Sequence, residues 1–232
     1  MQIHGFNKTT LLDFPEHIAG CVFTGACNMR CPFCQNASLV LHPESEPVIA
    51  EDEVLSYLAK RKGILEGLCI TGGEPTLNAD LPEFIKKVKD LGLLVKLDSN
   101  GTNPDMLKSL VLSGLVDYVA MDIKSSKENY GKAAGIPGFD ISHVERSVSF
   151  LLEGHVEYEF RTTAVRELIS PADFMQIGMW LSGADKYFLQ GYKDSGDLIA
   201  GAGLTGYTKN ELEPIVSNIK HHFKKIEIRG LD

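Results

Sequence analysis

The sequence predicts an α/β protein built as a partial (β/α)6 barrel, open on one side. Three observations carry that expectation. Six short apolar, strand-like runs alternate strictly with helical patterns, and such alternation implies a parallel sheet with right-handed crossovers. A closed eight-unit barrel takes ~250 residues, and only six pairs can be counted in these 232. The residues least expected in a plain scaffold fall directly after the strands, where parallel α/β sheets bind their ligands.

The elements follow in order. Residues 8–15, Lys-Thr-Thr-Leu-Leu-Asp-Phe-Pro, read as a short extended segment and turn in an N-terminal extension, 1–17. The partial barrel is expected over 18–229, in a single domain. The apolar run 18–23 is its first strand and leads straight into a loop with three cysteines. Residues 51–62 have helical spacing, with Val54, Leu55 and Leu58 on one face. A second strand, 68–71, ends in Gly72-Gly73-Glu74-Pro75. Asp80 and Glu83 have the spacing of a capping box for a helix that stops at Gly92.

The third strand, 93–97, ends in Asp98-Ser99-Asn100-Gly101, and a helix is expected from Pro104 to about Ser113. The fourth, 118–121, ends in Asp122-Ile123-Lys124. An irregular stretch leads to a helix over 141–153, with Asp140 as its N-cap. The fifth strand, 157–163, closes on Arg161-Thr162-Thr163, and Ser170-Pro171 opens the next helix. The sixth strand is 186–190. Thr208 with Glu211 caps a final helix, and 226–229 adds one short strand. Gly201-Ala202-Gly203-Leu204-Thr205-Gly206 matches the dinucleotide fingerprint but lies about ten residues beyond its strand, so it reads as a loop near the site.

Composition narrows the function. Hydrophobic and charged fractions of 44% and 23% are those of a soluble globular domain. A net charge of −8 argues against a nucleic-acid partner. The first residues lack the pattern of a signal peptide, and no apolar run is long enough to span a membrane. Five cysteines, an odd number, fit a reducing cytoplasm better than a disulfide framework. Cys21 and Cys69 fall in apolar strand runs and read as core residues.

The chemistry centres on Cys27-Asn28-Met29-Arg30-Cys31-Pro32-Phe33-Cys34. Pro32 and Asn28 keep this segment from forming a regular helix. Such a loop can wrap its thiolates round three corners of an iron–sulfur cube and cannot supply the fourth. A cluster that only carries electrons normally has four cysteine ligands, so three leave one iron open to a substrate, as in open zinc sites. Two alternatives stand beside this: a zinc site completed by His42, and unrelated buried thiols.

C-x-x-x-C-x-x-C with Phe33 before the last cysteine resembles the cluster motif of the radical S-adenosylmethionine enzymes. Within that superfamily the chain is similar to the glycyl-radical-enzyme activating proteins, above all the anaerobic ribonucleoside-triphosphate reductase type. Residues 8–15, 96–101, 117–124 and Arg161-Thr162-Thr163 carry this narrower likeness.

The resemblance implies a [4Fe–4S] cluster on Cys27, Cys31 and Cys34, with S-adenosylmethionine on its open iron. It implies backbone contacts to the methionine end from Gly72 and Gly73 of the Gly-Gly-Glu motif with Glu74, and Asp122 with Lys124 near the methionine carboxylate. Arg161 has a plainer role available, neutralising Glu159 or Asp122. Phe33 is expected beside the adenine, and Asp98 with Ser99 in a monovalent-cation site. Gln35 and Gln190 stand where related activases carry histidines, and both are kept as candidate contacts. The expected partners are a glycyl radical enzyme and a low-potential donor such as flavodoxin or ferredoxin. Radical chemistry on a small molecule or another macromolecule, and a non-enzymatic zinc module, are the alternatives.

Overall fold

The computed structural model describes every residue except Ser195, Asp197, Gly201 and Asp232. Its strands are β1 (Ile3–Thr10), β2 (Ala19–Thr24), β3 (Gly67–Gly72), β4 (Leu94–Ser99), β5 (Tyr118–Asp122), β6 (Glu157–Ala164), β7 (Lys186–Gly191) and β8 (Lys225–Arg229). Its helices are α1 (Ala37–Leu41), α2 (Glu51–Lys60), α3 (Leu81–Asp90), α4 (Pro104–Leu112), α5 (Tyr130–Ala134), α6 (Ser142–Leu152), α7 (Pro171–Trp180) and α8 (Lys209–Ile219). The strands stand in one sheet in sequence order, from β1 to β8. The fold is α/β with an open, unclosed parallel sheet. No helix among the described residues is long and apolar enough to cross a membrane.

The chain divides into two compact units, and the division falls inside the cysteine loop, between Asn28 and Met29. The first unit takes Met1–Asn28, Ser38–Ala120 and His155–Glu157. Here β2 pairs in parallel with β3, and β3 with β4, so that Cys21, Cys69 and Lys96 stand side by side. α3 shows why such segments coil. Leu81, Phe84, Ile85 and Val88 repeat at three- and four-residue spacing and are all fully buried. Phe14, Ala19, Tyr118 and Ala120 form a buried cluster with Leu94 against it. Gly67 lets the Phe14 ring in, because a Cβ there would lie 2.7 Å from it. Burying a ring of this size is worth ~2 kcal/mol.

The second unit takes Met29–Ala37, Met121–Gly154 and Tyr158–Asp232. There β6, β7 and β8 run parallel. α7 starts on a complete capping box, Ser170 with Asp173. α8 starts on Thr208 and Glu211, as expected.

Several expectations are corrected. Residues 3–10 form a full strand antiparallel to β2; its mixed polar pattern hid it, because only one end is buried. Asp80 precedes α3 without capping it. Its carboxylate pairs with the amino terminus of Met1 instead. The irregular stretch after β5 contains α5, closed by Gly135 in the left-handed conformation. Asp140 accepts a bond from the Ser142 backbone N–H, but the cap position of α6 is Ile141. The 201–206 fingerprint begins on Gly201, outside the described residues.

Candidate functional site

In the first unit the chain leaves β2 at Thr24 and reaches Cys27 through two backbone contacts with the end of β3. Gly73 N–H donates to the Thr24 carbonyl and Glu74 N–H to the Ala26 carbonyl, both at 2.8 Å. These contacts require glycine. A Cβ on Gly73 would sit 1.8 Å from the Ala26 oxygen, and Gly72 has φ +115° with Thr24 backbone 2.3 Å from where its Cβ would be.

Glu74 is fully buried and accepts bonds from four donors. They are Thr76 N–H at 3.1 Å, Thr76 Oγ1 at 2.5 Å, Ser99 Oγ at 2.9 Å and Asn100 N–H at 2.6 Å. Burial pushes its carboxyl above the usual carboxylate range, and the four donors offset this only in part. The network ties the end of β3 to the end of β4. It also sets Asn100, whose side-chain amide donates to Asn28 Oδ1 at 2.9 Å and to Cys27 Sγ at 3.7 Å.

In the second unit the loop resumes at Met29. Arg30 N–H donates to the Ala134 carbonyl at 2.9 Å. Gly135 again leaves no room for a side chain, since its Cβ would lie 2.0 Å from the Arg30 carbonyl oxygen. Cys34 N–H closes a turn onto the Cys31 carbonyl at 3.0 Å. Phe33 is buried, and the Lys124 ammonium lies 5.7 Å from its ring centroid.

Asp122, at the end of β5, takes Lys124 Nζ at 3.0 Å and Arg161 Nε at 3.0 Å. Burial alone would raise the Asp122 carboxyl, but the two cations outweigh it and hold it at about 2. Burial alone would lower Lys124; the charges of Asp122 and Cys31 prevail and push it up, so the ammonium is firmly protonated. Gln35 Nε2 donates to the Lys193 carbonyl at 2.7 Å, and Ala200 N–H to the Pro32 carbonyl at 3.0 Å. The loop after β7 therefore grips the cysteine loop. Gln190 stands in register between Thr163 of β6 and Arg229 of β8.

The structure sorts the expected residues. Cys27, Gly72, Gly73, Glu74 and Ser99 share one hydrogen-bonded assembly in the first unit. In the second, Asp122, Lys124 and Arg161 are hydrogen-bonded together, with the Phe33 ring against the Lys124 ammonium and Cys31 near enough to act on its charge. Asp98 and Ser99 are not brought together. Asp98 pairs with Lys96 on the same face of β4, whereas Ser99 turns to Glu74. Arg161 pairs with Asp122, and Glu159 with Arg229 at 3.1 Å. His42 is exposed beside Glu44, and among the described residues no three His, Cys, Asp or Glu side chains are arranged to hold a single metal ion. Asn100 was missed as a site residue. Its signal was its place directly after Asp98-Ser99 at a strand end.

Comparison with known proteins identifies the family. The chain matches the Radical SAM superfamily over residues 21–165, well over half its length. It is 28% identical over 236 aligned residues to a "putative glycyl-radical enzyme activating enzyme" of Methanocaldococcus jannaschii, covering 99% of this chain and 96% of that one. In fold it is similar to Streptococcus suis SuiB bound to S-adenosylmethionine, with a TM-score of 0.69 at 12% identity over 89% of this chain. It spans about half the length of SuiB, 49%. A domain of a pyruvate-formate lyase-activating enzyme from Bacteroides vulgatus gives a TM-score of 0.57 at 14% identity, covering 71% of this chain and 99% of that one. This chain belongs to the radical SAM superfamily, whose members are enzymes built on a [4Fe–4S] cluster and S-adenosylmethionine.

Proposed function

We propose that this enzyme is an activase that installs a glycyl radical on a partner enzyme, an anaerobic ribonucleotide reductase. The observation that supports the activase reading is the end-to-end match to a glycyl-radical enzyme activating relative, 99% of one chain against 96% of the other; the reductase as partner rests on the sequence likeness over residues 8–15, 96–101 and 117–124.

The residues present suit the cofactors. Cys27, Cys31 and Cys34 would ligate the cluster through their thiolates. Asn100 donates toward Cys27 Sγ, the kind of N–H···S bond that tunes cluster potential. With S-adenosylmethionine bound, Gly72 and Gly73 would offer backbone to the methionine amino group, and Lys124 and Arg161, organised by Asp122, would take its carboxylate. Phe33 would hold the adenine, and Gln35 and Gln190 would serve the ribose. Glu74 is a positioning residue that holds β3, β4 and Asn100 in place. Asp98 is not carried into a cation site, because the Lys96 ammonium already holds it.

When bound, the two cofactors supply one-electron reductive cleavage of a carbon–sulfur bond, and hence a 5′-deoxyadenosyl radical able to take hydrogen from a glycine Cα. The chain itself binds, orients and excludes water. No side-chain acid or base is called for. The electron comes from a flavodoxin or ferredoxin, in the cytoplasm.

The test is to mix the reconstituted, reduced protein with S-adenosylmethionine and the ribonucleotide reductase. A glycyl-radical signal in electron paramagnetic resonance that changes on deuterating the partner's glycines, with 5′-deoxyadenosine released in step, is expected. Release of 5′-deoxyadenosine with no radical on the partner would overturn the assignment.

A further inference from the structure

Apart from the residues assigned to the cofactors, the first unit carries a second cluster of reactive groups. Cys21, Cys69 and Lys96 stand on β2, β3 and β4 as successive register partners. The two cysteines are fully buried, and Lys96 is 2% exposed. Lys96 Nζ lies 3.6 Å from Cys69 Sγ and forms an ion pair with Asp98. Cys69 Sγ is itself 3.8 Å from Asp98 Oδ1. Cys21 is the register partner of Cys69, and the neighbouring thiol and burial push the Cys21 thiol far above its ordinary range.

A lysine this deep needs a partner for its charge, and Asp98 meets that need. Charge pairing does not call for the sulfur beside it. What the arrangement adds is a thiol and an amine buried side by side, with a carboxylate 15% exposed against the amine.

From this geometry we infer that Cys69 and Lys96 are a covalent modification site, where dioxygen joins them through a sulfur–oxygen–nitrogen bridge between β3 and β4. The balance is closed. Cys69 loses its S–H hydrogen and the Lys96 ammonium loses two hydrogens, one of them as a proton to Asp98. One S–O and one O–N bond form, and the O–O bond breaks. The second oxygen leaves as water. Sulfur and nitrogen each give up two electrons, and the four together reduce both oxygen atoms. Dioxygen, small and apolar, can reach a dry interior. An exposed oxidised cysteine proceeds to sulfinic acid or finds another thiol, whereas Cys69 meets an amine held against it.

The test uses the full chain purified without air and loaded with its cluster, then exposed to air. Proteolysis and mass spectrometry follow, before and after dithiothreitol. The expected product is one peptide pair joining Cys69 to Lys96, heavier than its two halves by one oxygen less two hydrogens, and split by the reductant. It should persist in Cys21→Ser and vanish in Lys96→Arg. Cys69 recovered as a free thiol would overturn the inference. So would Cys69 joined to Cys21 with loss of two hydrogens alone, or Cys69 oxidised with Lys96 unmodified. This reading stands or falls without reference to the partner enzyme.

Discussion

The two parts of the cysteine loop are held by different physics. Up to Asn28 the grips are neutral: backbone bonds to Gly73 and Glu74, a glycine with no room for a side chain, and a buried carboxyl ringed by hydroxyls and N–H groups. From Met29 onward neutral backbone bonds to Ala134 and Ala200 are joined by a charged contact, with Lys124 between Phe33 and Asp122 and Arg161 on the other side of the carboxylate. Glu74 stands two residues past β3 and Asp122 is the last residue of β5, and burial wins at Glu74 while the cations win at Asp122. A carboxylate's place in the fold does not set its charge; its partners do.

The comparison can be broken first at Gly73. Gly73→Ala drives a Cβ to 1.8 Å from the Ala26 oxygen and is expected to cost ~3 kcal/mol or more. Gly138→Ala is the control. It has φ +70° and nothing within 4 Å, so only the left-handed strain of ~1–2 kcal/mol applies. Thermal unfolding of the two metal-free variants checks this, and equal losses would refute the close-approach argument.

Next comes Glu74→Ala, which strands Ser99 Oγ and the Asn100 and Thr76 N–H groups. Unsatisfied buried donors cost ~1–3 kcal/mol each, so urea unfolding should show a loss of ~2–4 kcal/mol. Glu74→Gln keeps one acceptor oxygen and should lose less.

Asp122→Asn is expected to cost ~2 kcal/mol, since its carboxyl falls from 3.8 to about 2 on folding. A lowered folded value means this stability is present above pH 3.8 and is lost as pH falls toward 2. Glu74 has the opposite sign. Its folded value is raised, so its contribution is full below 4.5 and declines as pH rises through the folded value. Stability measured against pH should therefore show the advantage of the unmodified protein over Asp122→Asn growing with pH, and its advantage over Glu74→Gln shrinking. Parallel slopes would contradict the contrast. The smallest effect belongs to Gln35→Ala, which removes one exposed bond to the Lys193 carbonyl and is expected to shift stability by no more than ~0.5 kcal/mol.

How far the sequence could be read follows the same physics. Alternating strands and helices, and glycines at 72 and 73, leave local signatures. The ends of β2 to β6 were found because the unusual residues stop the apolar runs there. β1 was not, since pairing with β2 rather than an apolar pattern makes it a strand. Asp98 and Ser99 looked like one site because they are neighbours in sequence, but the two-residue period of β4 sends them to opposite faces. Lys96 falls inside the expected strand 93–97, where nothing in the local pattern pairs it with Cys69. Only the register with Cys69 reveals the reactive cluster, and register is not written in any one segment.

The most direct test of the central claim is electron paramagnetic resonance of the anaerobically reconstituted, reduced protein, with and without S-adenosylmethionine. A reduced-cluster signal that shifts on adding S-adenosylmethionine, and that is absent from Cys27→Ser, Cys31→Ser and Cys34→Ser, is the predicted result. A cluster signal indifferent to S-adenosylmethionine, or one that survives loss of any of the three thiols, would contradict it.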